Sequence, residues 1–181
     1  MSTPIRLLVQ FIVIMLIQVF FLNGIMIKSA VTVLHVPVFI PILYPLFILL
    51  LPVNIPHPLL MLLGFITGLT MDMFSNTPDM HASACLLIAF IRPFVLNLFL
   101  QQQMKELGST IPSLYKLGFN SFLMYCIIMI VTHHFYFYIL QFWSFKSILI
   151  ILYKTLLSGI LSIILIILAQ LLFAKQEIKR A

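Results

Sequence analysis

Acidic side chains are scarce in this chain: four Asp and Glu stand among 181 residues, and all charged residues together make up 8%. A soluble domain carries roughly 25% charged residues, so a soluble fold of this size would have too little polar cover for its surface. The same scarcity leaves little material for general acid–base chemistry. The sequence contains no His-Glu-x-x-His motif, phosphate loop or nucleophile elbow, so no catalytic residue, metal or cofactor is expected and the chain does not read as an enzyme. Cysteine is limited to Cys85 and Cys126, both inside apolar runs, where a thiol acts as a small packing residue. Ten Lys and Arg give a formal charge of +6. They are dispersed rather than clustered as a phosphate-binding face requires, which argues against nucleic acid as a partner.

Apolar residues are what the chain has in quantity: 63% of the total, with a mean hydropathy of +1.21. Lipid must be the solvent for most of the surface. The reading is an all-α integral membrane protein, one polytopic domain over 1–181. Stretches of about 20 apolar residues suffice to cross a bilayer. They fall at about 7–27, 30–51, 59–74, 80–100, 114–140 and 148–173, which predicts six spans. The second carries Pro37, Pro41 and Pro45, whose missing donors predict a kink or break. The first is too long for a signal peptide, and Lys28 stands where a cleavage site needs a small residue. With six spans, Arg6, Lys105, Lys116, Lys175, Lys179 and Arg180 share one side, against Lys28 and Lys146 on the other. The positive-inside rule then places both termini in the cytoplasm.

Ionisable residues inside spans are costly and need an account. Lys154 lies about six residues from the outer end of its helix, within snorkelling reach. Gly64, Gly68, Asp72 and Ser75 fall on one face of the third span, and Gly64 and Gly68 form a G-x-x-x-G pair that admits a second backbone. His81, Cys85, Ile88 and Arg92, flanked by Ala82 and Ala89, make a matching stripe on the fourth. The two spans should pack as an antiparallel hairpin. In that register Asp72 lies near residue 83 and about 13 Å from Arg92. Asp72 is therefore expected to bond His81 or backbone amides of the turn, so that Asp72→Asn would be tolerated. Arg92, followed by Pro93, is expected to find backbone oxygens at a local break in its own helix, such as the carbonyl of Ala89. His133 and His134 are adjacent and diverge on a helix, a poor metal pair, and Phe135 to Tyr138 with Trp143 read as an interfacial aromatic belt.

The hairpin resembles a known family. Gly64-Phe65-Ile66-Thr67-Gly68-Leu69-Thr70-Met71-Asp72-Met73-Phe74-Ser75, then Thr77-Pro78, His81-Ala82 and Ile91-Arg92-Pro93, is similar to the G-x-x-x-G-L-x-x-D pattern, short polar turn and small-residue helix of the rod shape-determining protein MreD family. The matching residues are Gly64, Gly68, Leu69, Asp72, Ser75, Pro78, His81, Ala82 and Arg92. The family often has a glycine before the His/Ala element, where this chain has Asp79-Met80. The resemblance covers about thirty residues. It implies a non-catalytic scaffold of the bacterial inner membrane that supports lateral peptidoglycan synthesis and rod shape. The partners it implies are MreC, the MreB filament, a RodA-type SEDS glycosyltransferase and a class B penicillin-binding transpeptidase. It also implies a fold similar to the substrate-binding subunits of energy-coupling-factor vitamin transporters. That fold supplies the alternative, a small-molecule binding subunit of a transporter. An outward pocket lined with polar and aromatic groups would mark such a binder, and the short outer loops offer few polar anchors for one.

Overall fold

In a bilayer the backbone must satisfy its own polar groups, and long apolar runs do so as helices. A computed structural model of the protein describes residues 3–23, 41–99, 111–143 and 147–173. Helix α1 (Thr3–Leu16) continues as a π-helical stretch, Ile17–Leu22. The short α2 (Pro45–Leu49) precedes α3 (His57–Ser75) and α4 (Met80–Phe99). A single turn, α5 (Leu114–Leu117), leads into α6 (Phe119–Phe142), and α7 (Ile148–Phe173) follows. Among the described residues, five helices are long and apolar enough to cross a membrane: Pro4–Leu22, His57–Ser75, Met80–Leu98, Phe119–Phe142 and Ile148–Leu172.

The expected second span is not among them. Its residues 30–40 lie outside the described residues, and the described remainder is helical only over Pro45–Leu49. Pro45 occupies the first turn of α2, where its absent N–H is harmless, and Pro52 follows the helix end at Leu50. The expected fifth span also begins late. Gly118 has φ +76° and divides α5 from α6. By contrast, α4 runs through Pro93 without ending, so the break expected at Arg92 does not form.

α3 and α4 form an antiparallel hairpin, α4 packs on α6, and α6 on α7. Residues 41–51 are all buried. The amide of Leu43 donates to Gln18 Oε1 of the π-helical stretch (2.6 Å), and that of Ile42 to Ser162 Oγ of α7 (2.9 Å). Tyr44 reaches His81 at the start of α4, whereas Leu51 meets Arg92 eleven residues further along that helix. The segment therefore descends through the bundle beside α4, meeting that helix at two positions about 16 Å apart at the helical rise. Irregular backbone at membrane depth is tolerated only where protein surrounds it; α1, α3, α4 and α6 pack on α2, and Ser162 of α7 meets Ile42.

Candidate functional site

The hairpin is built on the absence of side chains at two positions. A Cβ at Gly68 would stand 2.6 Å from the backbone nitrogen of Ala82 and closer still to Ala82 Cα and the His81 carbonyl. A Cβ at Gly64 would stand 2.7 Å from Ala89 Cβ and 3.1 Å from the Cys85 carbonyl oxygen. Backbone contact at Gly68 sets Asp72, one turn on, against the first turn of α4. Its Oδ1 accepts the His81 amide (3.0 Å) and the Thr77 hydroxyl (2.7 Å), and its Oδ2 accepts the Ala82 amide (2.8 Å). Asp72 is thus an N-cap supplied by the preceding helix, satisfying donors that the start of α4 leaves without intrahelical partners. It also lies at the end where α4's dipole favours negative charge.

The turn itself carries two left-handed residues. Asn76 (φ +53°) ends α3, its amide returning to the Asp72 carbonyl, and Asp79 (φ +55°) precedes α4. Asn and Asp are the non-glycine residues that adopt this conformation most readily.

The imidazole of His81 is not on Asp72, since only its backbone is. Because all the bonds to Asp72 are donated by its partners, the expectation for Asp72→Asn is reversed. The new amide would turn a donor toward either the Ala82 N–H or the pair His81 N–H and Thr77 O–H. Asp72→Asn is expected to lose about 1–3 kcal/mol, the cost of a buried donor left unmet, and Asp72→Leu more. Thermal midpoints of the purified variants check this. A midpoint for Asp72→Asn equal to that of the unmodified protein would refute the cap.

Arg92 is 1% exposed and is among the largest fully buried side chains of the described residues. Its Nη2 donates to the carbonyls of Leu51 and Leu49, its Nη1 to that of Pro52, and its Nε to the Tyr125 hydroxyl (3.0 Å). Tyr125 in turn donates to Leu49 O (3.2 Å). Backbone oxygens hold the guanidinium, as expected, but they come from the end of α2 and not from α4. Pro93 removes the usual donor to the Ala89 carbonyl, but α4 does not open there, and the guanidinium meets instead the exit from α2, which leaves several carbonyls without intrahelical donors.

Toward the other end of the bundle, Tyr44 joins two helices. Its hydroxyl lies 2.7 Å from His81 Nδ1 and 2.8 Å from His133 Nε2. His134 diverges from His133, with Nδ1 on the Ile130 carbonyl (2.9 Å) and Nε2 on Ser162 Oγ (3.2 Å). Among the described residues no group of three His, Cys, Asp or Glu could hold a metal ion. The expected aromatic belt is only partly a belt. Trp143 is exposed, but Phe137 and Tyr138 are buried, Phe137 stacking on His81 with ring centroids 4.5 Å apart.

Lys154 departs from the snorkelling expectation. It is 6% exposed, and its ammonium lies 5.1 Å from the Phe142 ring centre and 5.5 Å from that of Tyr138. It lines a cavity of about 340 Å³ together with Gln18, Asn23, Tyr44, Ser75 and His81. The sparse outer loops had argued against such a cavity. Its polar lining comes instead from helix ends and from side chains within the spans.

Sequence reading therefore found the hairpin residues but not the roles of Gln18, Tyr125, His133 and Ser162, which hold the buried segment in place, or of Tyr44 within it. Their common signal is a polar side chain within an apolar span. Fold and site together define a multi-pass, all-helical membrane protein organised around an internal polar framework. No family model, characterised protein or solved structure matches the chain.

Proposed function

We propose that this protein is a non-catalytic scaffold of the bacterial cell-wall elongation complex, similar to the MreD family. On this reading it binds MreC, acts with MreB, a RodA-type SEDS glycosyltransferase and a class B penicillin-binding transpeptidase, and supports lateral peptidoglycan synthesis and rod shape. The observation that carries the reading is the α3–α4 hairpin. Residues of the G-x-x-x-G-L-x-x-D pattern occupy its backbone contact and its cap, at Gly64, Gly68 and Asp72. The departure at Asp79, in the region where the family often has glycine, falls on a left-handed residue, which a glycine would also fit. Affinity purification from bacterial membranes tests the proposal: an MreC-type protein should be recovered with this chain. The cavity favours a second reading, the binding subunit of a transporter with the energy-coupling-factor fold. Recovery of an ATP-hydrolysing module in place of MreC would establish that reading and remove the first.

The proposed topology is six crossings of the inner membrane with both termini cytoplasmic. Asn23, at the end of the π-helical stretch, lines the same cavity as Ser75 and Thr77, so these lie at one end of the bundle. His57, at the far end of α3, lies at the other. The chain between Asn23 and His57 therefore has to return across the bundle, and residues 41–52 make much of that passage. The sixth crossing is this buried, broken segment. Reporter fusions after residue 181 and within 101–113 should both read cytoplasmic, and a periplasmic signal from either would sink the model.

A further inference from the structure

The cavity beside Lys154 has a chemical polarity fixed by the hydrogen bonds around it. Gln18 Oε1 accepts the amides of Leu43 and Tyr44, which sets the orientation of its side-chain amide. Gln18 Nε2 must then donate, and it does so to Asn23 Oδ1 (2.9 Å) and the Pro41 carbonyl. With Asn23 Oδ1 occupied, the group Asn23 has left to offer is its NH₂. Tyr44 has a single hydroxyl proton and two imidazole neighbours, so one imidazole donates to it and the other accepts from it. His133 Nδ1 is buried with no hydrogen-bond partner. An unmet lone pair is tolerated more readily than an unmet N–H, so His133 carries its proton on Nε2 and donates to Tyr44. Tyr44 then donates to His81 Nδ1, which leaves the ring proton of His81 on Nε2.

Asn23, His81 and Lys154 all line the cavity, and each brings a donor. Among the described residues that line it there is no carboxylate. The nearby Asp72 does not line the cavity, and its oxygens accept from Thr77, His81 and Ala82. A volume of about 340 Å³ lies within the range of small-molecule pockets, about 300–1,000 Å³. We propose that this cavity is a binding site for a phosphate-type anionic group, held by the Lys154 ammonium and by the N–H groups of Asn23 and His81. The group can be carried by a lipid headgroup or be free in solution, since the recognising chemistry is the same.

The test is binding to the purified full-length chain in neutral detergent, with no partner protein present, so that it stands apart from the scaffold reading. The probes are short-chain phosphatidylglycerol, short-chain phosphatidylcholine as the zwitterionic control, and inorganic phosphate. Phosphatidylglycerol or phosphate is expected to bind saturably, and phosphatidylcholine not to compete. Lys154→Met should weaken binding about tenfold or more, the loss of one partly desolvated charge contact. Gln141→Glu, which places a carboxylate in the lining at an exposed position, should also weaken it. Lys116→Gln removes the same charge from the exposed start of the α5–α6 region at the opposite end and should leave it unchanged. Should Lys154→Met not fold, Gln141→Glu decides alone. Competition by inorganic phosphate assigns the site to free phosphate, and lipid binding without such competition assigns it to a headgroup. The proposal is overturned if neither anionic probe binds, or if Gln141→Glu binds them as the unmodified chain does.

Discussion

Gly68→Ala is expected to lose most of the correctly folded protein, although it adds one methyl group. The added carbon would meet the backbone of His81 and Ala82. Backbone cannot rotate away as a side chain does, so the helices must separate or tilt. Overpacking costs about 1–3 kcal/mol and occasionally more, and this site belongs at the upper end for a second reason. Separation also carries the first turn of α4 away from Asp72, so the cap donors at His81 and Ala82 lose their acceptor together. Gly64→Ala should cost less, because its nearest obstacle is the Ala89 methyl and the nearest backbone atom is 3.1 Å away. Leu62→Ala, at an exposed position off the contact face, should cost least. Monodisperse yield and thermal midpoint of the three variants give the order. If Gly68→Ala and Leu62→Ala behave alike, the close contact is not what holds the hairpin.

Arg92→Leu is expected to be comparably damaging, and for the opposite reason: it removes donors rather than adding bulk. The carbonyls of Leu49, Leu51 and Pro52 would lose the guanidinium that meets them. Each buried group left unmet costs about 1–3 kcal/mol, and the Leu49 carbonyl alone would keep a donor, Tyr125. Arg92→Lys retains the charge but not the planar fork, so it should recover only part of the loss. Tyr125→Phe removes one hydroxyl shared by Arg92 and Leu49 and should be the mildest of the three. A thermal midpoint for Arg92→Leu within error of the unmodified chain would show that the end of α2 is held by other means.

The parts of this fold that can be read along the chain are those governed by local spacing. A bilayer forces apolar runs into helices, so α3, α4 and α7 lie within two residues of their sequence-predicted bounds. The four-residue spacing of Gly64, Gly68 and Asp72 likewise identifies one helix face. Residues 41–51 resist such reading, because burial among helices and burial in lipid select the same apolar side chains. The bond between Tyr44 and His133 spans 89 positions of sequence, and no periodicity records it. Gly118 looks like any glycine until its φ of +76° is seen to separate two helices. Gln18, His133 and Ser162 could have been flagged as polar groups in lipid, but their common partner, the segment beginning at Ile42, could not.

The order in which the chain is made sets a further constraint. The segment after Pro41 emerges during synthesis long before most of the groups that satisfy it. Arg92, Tyr125 and His133 follow, and Ser162, which receives the Ile42 amide, comes 120 residues later. Until α7 enters the membrane, the unpaired backbone of this segment cannot rest in hydrocarbon without a severe penalty. It has to wait in contact with water, with an insertion factor, or in a different pairing. The bundle is therefore closed from its C-terminal end, and nascent chains stopped before Ser162 should keep the 41–51 stretch open to water-soluble labelling reagents.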